Sequence, residues 1–73
     1  MSIIGHAQHQ TKVLEKNLNE IYDILRQINK KIKHREIDED AIKKELSIIH
    51  NTLALGRVTE ALNHAKNLGH RCL

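Results

Sequence analysis

Proline is absent from this chain, cysteine and the aromatics occur once each as Cys72 and Tyr22, and glycine occurs three times. A single cysteine excludes an intrachain disulfide framework and points to a reducing compartment. The scarcity of turn-forming residues and of aromatic core material disfavours sheets and suits helices rich in Leu, Ile, Glu and Lys. No apolar run approaches the roughly 18 residues that cross a bilayer. The opening Met1-Ser2-Ile3-Ile4-Gly5-His6 also lacks the basic region and apolar stretch of a signal peptide, so a cytoplasmic protein without a membrane segment is expected. The formal charge of +3 and pI near 9.3 are basic, yet fall short of the dense positive field of a dedicated nucleic-acid binder.

What the sequence does contain is helical periodicity. Ala7, Thr11, Leu14, Leu18, Ile21, Leu25, Ile28 and Ile32 follow one another by alternating fours and threes, the heptad spacing that keeps one seam against a partner helix. Lys30, Lys31, Lys33, His34 and Arg35 then place positive charge where a helix dipole presents its negative end, so the first helix is predicted over about 7–34. Asp38 suits the N-cap of a second helix, with Glu39 and Asp40 in its first turn and Ile37 placed to staple onto Ile42. Its seam begins as Ile42, Leu46, Ile49 and Leu53, after which the apolar residues shift to Leu55, Val58, Leu62 and Ala65.

That change of phase has two readings. One is a long second helix over about 39–68 that rotates its buried face. The other is a break near His50-Asn51-Thr52 that yields three helices. Continuity is the reading preferred here, with Leu68-Gly69 as the helix end and His70 to Leu73 as a tail. The expected fold is therefore all-α: one domain spanning 1–73, built as an antiparallel, coiled-coil-like helical hairpin, the second helix being breakable. At 73 residues the core is thin, and such a scaffold needs a regular helix interface, a metal or a companion chain.

Two long helices use one stripe each, and the sequence carries more apolar surface than that. Ile48, Leu55 and Leu62 recur every seven residues, with Val58 beside them, and together they form the candidate partner-binding stripe. A compact three-helix fold that hides these residues internally is the competing reading.

The segments Ile28-Asn29-Lys30-Lys31-Ile32 and Asn51-Thr52-Leu53-Ala54-Leu55-Gly56-Arg57-Val58-Thr59-Glu60-Ala61-Leu62, on a hairpin of this length, resemble the small YscE-type co-chaperones of type III secretion. The resemblance implies a protein-binding function: pairing with a TPR-like chaperone and, through it, keeping a needle subunit soluble. It implies no catalytic residue. It leaves open a homo-oligomer when the chain is alone.

Other constellations carry less. His6, His9, His64, His70 and Cys72 would gather at one end of an antiparallel hairpin, where imidazole and thiolate ligate zinc or nickel, but their spacing matches no compact finger motif. Solvated ends explain them better, so no metal or other cofactor is expected. The basic run Lys30, Lys31 and Lys33 defines the alternative function, a homodimeric regulator that binds nucleic acid, but aromatic stacking partners are missing. Cys72, penultimate in the chain, has neither a fixed base nor a shaped pocket, so an enzyme is not expected.

Overall fold

A computed structural model describes residues 2–73, with side chains described from Lys12 onward. The chain forms three helices, α1 (Ser2–Lys33), α2 (Glu39–Ala54) and α3 (Val58–Cys72). The fold is all-α, and of the two readings of the second apolar stripe the structure takes the broken one.

The break lies at Leu55-Gly56-Arg57, after the Asn51–Thr52 position that the sequence suggested. Gly56 has φ +76°, in the left-handed region that L side chains rarely adopt. Its N–H donates to Leu53 O at 2.9 Å, and the Arg57 N–H donates to Thr52 O at 3.0 Å. These two bonds form a Schellman end, with Gly56 at C′, and they satisfy carbonyls that would otherwise lack partners. The phase change in the sequence is thus a change of helix. Ile42, Leu46, Ile49 and Leu53 belong to α2. Val58, Ala61, Leu62, Ala65, Leu68 and Cys72 form a new stripe on α3.

α1 ends by the same geometry without a glycine. The Glu36 N–H donates to Lys31 O at 2.8 Å and the Arg35 N–H to Ile32 O at 3.0 Å, which puts Arg35 at C′ with φ 61°. A side chain there costs roughly 1–2 kcal/mol. Arg35→Gly relieves that strain, offset in part by the greater backbone freedom of glycine when unfolded, and is expected to raise stability by about 0.5–1 kcal/mol in a urea titration. After this turn Asp38 caps α2, its carboxylate accepting from the Asp40 N–H at 3.1 Å. Ile37 packs against the core beside this start.

Ion pairs show how the helices run. Lys66 on α3 meets Glu20 on α1 at 3.8 Å, and three residues later a Cβ built on Gly69 would lie 3.4 Å from Ile24 Cγ2. Both chains advance in the same sense, so α3 is parallel to α1. Arg71 near the end of α3 meets Glu45 in the first half of α2 at 3.4 Å, so α3 is antiparallel to α2. These pairs are solvent-exposed and each contributes under about 1 kcal/mol; they report the register more than they stabilise it.

The result is an up-down-up bundle in which α3 lies against both other helices, while α1 and α2 approach each other little. Small residues on α3 allow this. Ala61 and Ala65 are fully buried and Gly69 follows at the same spacing of four, so α3 presents a flat face to its neighbours. Gly69 is therefore an interior helix residue at a close approach, and the expected helix end there is not found: α3 continues to Cys72. The core consists of Ile21, Leu25 and Ile28 from α1, Ile42 and Ile49 from α2, and Ala61, Leu62, Ala65 and Leu68 from α3. The one buried polar side chain among the described residues, Thr52, donates its hydroxyl to Ile48 O one turn back.

Candidate functional site

α1 has 32 residues against 16 in α2 and 15 in α3. At ~1.5 Å per residue, α1 is about 48 Å long and each of its neighbours about half that. The molecular envelope of 52 × 20 × 16 Å reflects this one long helix. With Lys66 level with Glu20, the start of α3 at Val58 lies level with about residue 12 of α1. The N-terminal part of α1 therefore projects past the bundle as an arm of roughly 16 Å.

The heptad seam of α1 runs through this boundary without a slip. Within the bundle it is covered: Ile21 and Ile28 are fully buried, Leu25 nearly so, and Ile32 half-buried. Towards the arm the cover runs out. Leu18 is half-buried, and Leu14, on the same stripe, is 48% exposed with Val13 beside it at 45%. The seam positions further along, Ala7 and Thr11, carry side chains outside the described residues.

The proposed partner stripe does not survive as one surface. Leu62 is only 7% exposed and belongs to the core; Val58 is half-buried against it. The physical reason is the break at Gly56, which turns α3 back over the bundle and carries Leu62 inward. Ile48 stays near the surface on α2, at the margin of exposure. Leu55 caps α2 and is the most exposed large apolar residue, at 70%. By the helix register it stands at the end of the bundle from which the arm emerges, the end that also carries Val13 and Leu14. The candidate site is thus the arm with its apolar root, and not a stripe along the second helix. Sequence reasoning placed Leu14 in the hairpin seam because a continuous second helix would have been long enough to cover it.

Charge on the arm root is mixed. Lys12, Glu15, Lys16 and Glu20 are all exposed, two of each sign, and Glu20 pairs with Lys66 of α3. The opposite end of the bundle is balanced: the basic run of Lys30, Lys31, Lys33 and Arg35 is followed at once by Glu36, Asp38, Glu39 and Asp40, and Lys31 pairs with Glu36 at 3.7 Å. Local neutralisation of this kind removes most of the counterion release that phosphate binding needs.

Two shallow clefts lie among the described residues. One, of about 510 Å³, lies between α1 and α3 and is lined by Glu20, Ile24, Lys66, Gly69, His70 and Leu73. The other, about 450 Å³, lies between Gln27, Lys30, Lys31, His34 and Glu36. Both are open, and the Lys66–Glu20 pair joins two residues that line the first.

The histidines are not gathered. Because α3 runs parallel to α1, its end at His70 and Cys72 lies alongside the second half of α1, whereas positions 6 and 9 lie in the arm, more than roughly 20 Å away along the helix axis. His64 and His70 are exposed and Cys72 is half-buried. Among the described residues no three His, Cys, Asp or Glu side chains are grouped to hold a metal ion; the side chains of His6 and His9 lie outside that set. Among the described residues, too, no helix is long and apolar enough to cross a membrane. No family model, curated protein or solved structure matches this chain.

Proposed function

We propose that this chain is a protein-binding adaptor whose contact face is the projecting third of α1 together with the exposed seam residue Leu14 at its root, at the end of the bundle that also carries Leu55. The observation that carries this reading is the seam of α1, which is buried at Ile28, Leu25 and Ile21, half-buried at Leu18 and 48% exposed at Leu14, where α1 begins to run past the start of α3. An amphipathic helix with one bare stripe is the half of a helix-to-helix contact that a helical partner completes. The remaining surface is mostly polar, with Tyr22, Ile48 and Leu73 as further exposed apolar residues.

The resemblance to YscE-type co-chaperones supplies the narrower form of this proposal: a TPR-like chaperone as the partner, with a secretion-needle subunit held soluble by the pair. In mechanism this is masking. The arm lies on an apolar groove of the chaperone and stabilises it, and the chaperone in turn covers the adhesive helix of the subunit.

The test is co-expression with a TPR-like chaperone and needle subunit from the same source. The parent chain is expected to co-elute with them as one soluble complex. Leu14→Asp is expected to weaken that binding by at least about tenfold, since it puts a charge in the middle of an apolar contact. The isolated chain's melting temperature should stay within a few degrees of the parent, because Leu14 is half-exposed there. Equal binding by the parent and by Leu14→Asp would remove the arm from the contact.

A further inference from the structure

We propose that the contact face continues from Leu14 along a diagonal ridge of α1, through Leu18 to Tyr22 and Arg26, and that this ridge receives a partner helix that is apolar along its centre and carries a carboxylate where it meets Arg26. The inference rests on the adaptor reading and names what the partner must present.

Leu14, Leu18, Tyr22 and Arg26 follow one another at intervals of four. On an α-helix such a row drifts slowly across the surface and forms the ridge that the groove of another helix accepts, at a crossing angle of roughly 50°. The row lies on the seam at Leu14, which is 48% exposed, and at Leu18, which is half-buried; it leaves the seam at Tyr22, which is 52% exposed. Glu20 and Ile24 face α3, the first through its pair with Lys66 and the second across Gly69. Each is two residues from Tyr22, or roughly 200° around the helix, so Tyr22 points away from α3.

Two features set the ridge apart from ordinary helix surface. Tyr22 is the only aromatic residue of the chain. A domain with a thin core would be stabilised by burying its bulkiest ring, yet the core is built from Ile, Leu and Ala and the ring stands half in water. Arg26, one turn further on, is exposed and makes no ion pair among the described residues. Its neighbour Asp23 accepts a hydrogen bond from Gln27 instead. Tyr and Arg are the side chains that most often dominate binding at protein interfaces, and a free guanidinium pairs best with a carboxylate.

The charge also selects the occupant. A formal net charge of +3 favours an acidic partner over a second copy of the chain. Register opposes self-pairing as well. An antiparallel pair that sets Leu18 on Leu18 and Leu14 on Tyr22 leaves Arg26 opposite position 10, a glutamine. A shift that brings Arg26 to Glu15 of the other copy sets Tyr22 on Asn19 and Leu18 on Asp23, and a parallel pair sets Arg26 on Arg26. A second copy therefore satisfies the apolar row or the cation, whereas a foreign helix with an acid beyond its apolar row satisfies both.

The co-expressed complex with the TPR-like chaperone and needle subunit tests this. Tyr22→Ala is expected to weaken binding by at least about tenfold while the circular dichroism of the isolated chain stays that of the parent. Raising salt from about 50 to about 300 mM should weaken binding of the parent, and of Arg26→Gln much less, because the screened ion pair is missing in the variant. Nitration of Tyr22 by tetranitromethane, read by mass spectrometry, should be fast in the isolated chain and suppressed in the complex. Loss of binding by Leu14→Asp with parental binding by Tyr22→Ala overturns the ridge and leaves the adaptor reading standing; equal salt dependence of the parent and Arg26→Gln overturns the acidic partner helix. Protection of Tyr22 that grows with the concentration of the isolated chain makes the occupant a second copy and overturns the foreign one. A parent chain that co-elutes with nothing overturns both this inference and the adaptor reading.

Discussion

Leu62→Asp unfolds the chain, whereas Leu55→Asp leaves its stability within about 0.5 kcal/mol of the parent. The two residues stand one heptad apart, and on a continuous helix they would share a face and a fate. In the structure Leu62 is 7% exposed and sits in the core with Ala61, Ala65 and Leu68, while Leu55 is 70% exposed at the end of α2. A carboxylate at position 62 is buried without a partner: the buried side chains around it are apolar, and Thr52, the buried polar one, already donates its hydroxyl to Ile48 O. Burial of an unpaired charge costs several kcal/mol beyond the lost packing. A 73-residue domain has roughly 4–11 kcal/mol of total stability from which to supply it. At position 55 the carboxylate remains in water. Far-ultraviolet circular dichroism with a thermal melt separates the two outcomes, loss of the helical signal and the cooperative transition for Leu62→Asp against a near-parental melt for Leu55→Asp. Two unfolded variants would mean that the break at Gly56 is absent and the long helix is real.

The same contrast shows where the sequence was readable. The seam of α1 from Leu18 to Ile32, the Asp38 cap and the α2 stripe from Ile42 to Leu53 are local patterns, and local patterns survive folding because each residue's preference agrees with its neighbours'. The break was harder to read for a definite reason. Gly56 and Gly69 carry the same local signal, a glycine that follows an apolar residue late in a helical stretch. One is a left-handed C′ residue with open space around its Cα. The other is right-handed and faces Ile24, which a Cβ there would touch at 3.4 Å. Only the tertiary contact tells a stop from a close approach, and the sequence reading chose the wrong glycine as the stop. From that choice followed an antiparallel second rod, a spare stripe through Leu62 and a histidine cluster at one end. Arg35 shows the converse: a non-glycine in a C′ position, held by the two turn bonds around it, which no composition rule would flag. The open arm came into view only once the second rod was halved, because its signal is a difference in helix lengths rather than a motif.

Ile28→Ala is the second large effect, expected to cost about 2–5 kcal/mol, the range for removing a fully enclosed branched side chain and leaving a cavity. Ile28 is 0% exposed and lies in one buried cluster with α2 and α3 residues, Ile49 and Leu68 among them. For a domain of this size each kcal/mol moves the melting temperature by roughly 4–8 °C, so the expected drop is on the order of 8–40 °C. Leu14→Ala, two heptads earlier on the same stripe, removes a side chain that is already 48% exposed and is expected to cost under about 1 kcal/mol in the dilute chain. The pair measures how far the covered part of the seam extends. If Leu14→Ala were as damaging as Ile28→Ala at low concentration, Leu14 would have an intramolecular cover and a partner would find no exposed seam there. A large cost at position 28 with a small one at position 14 means instead that the seam is one continuous pattern serving two purposes, cohesion of the bundle at one end and contact with another chain at the other.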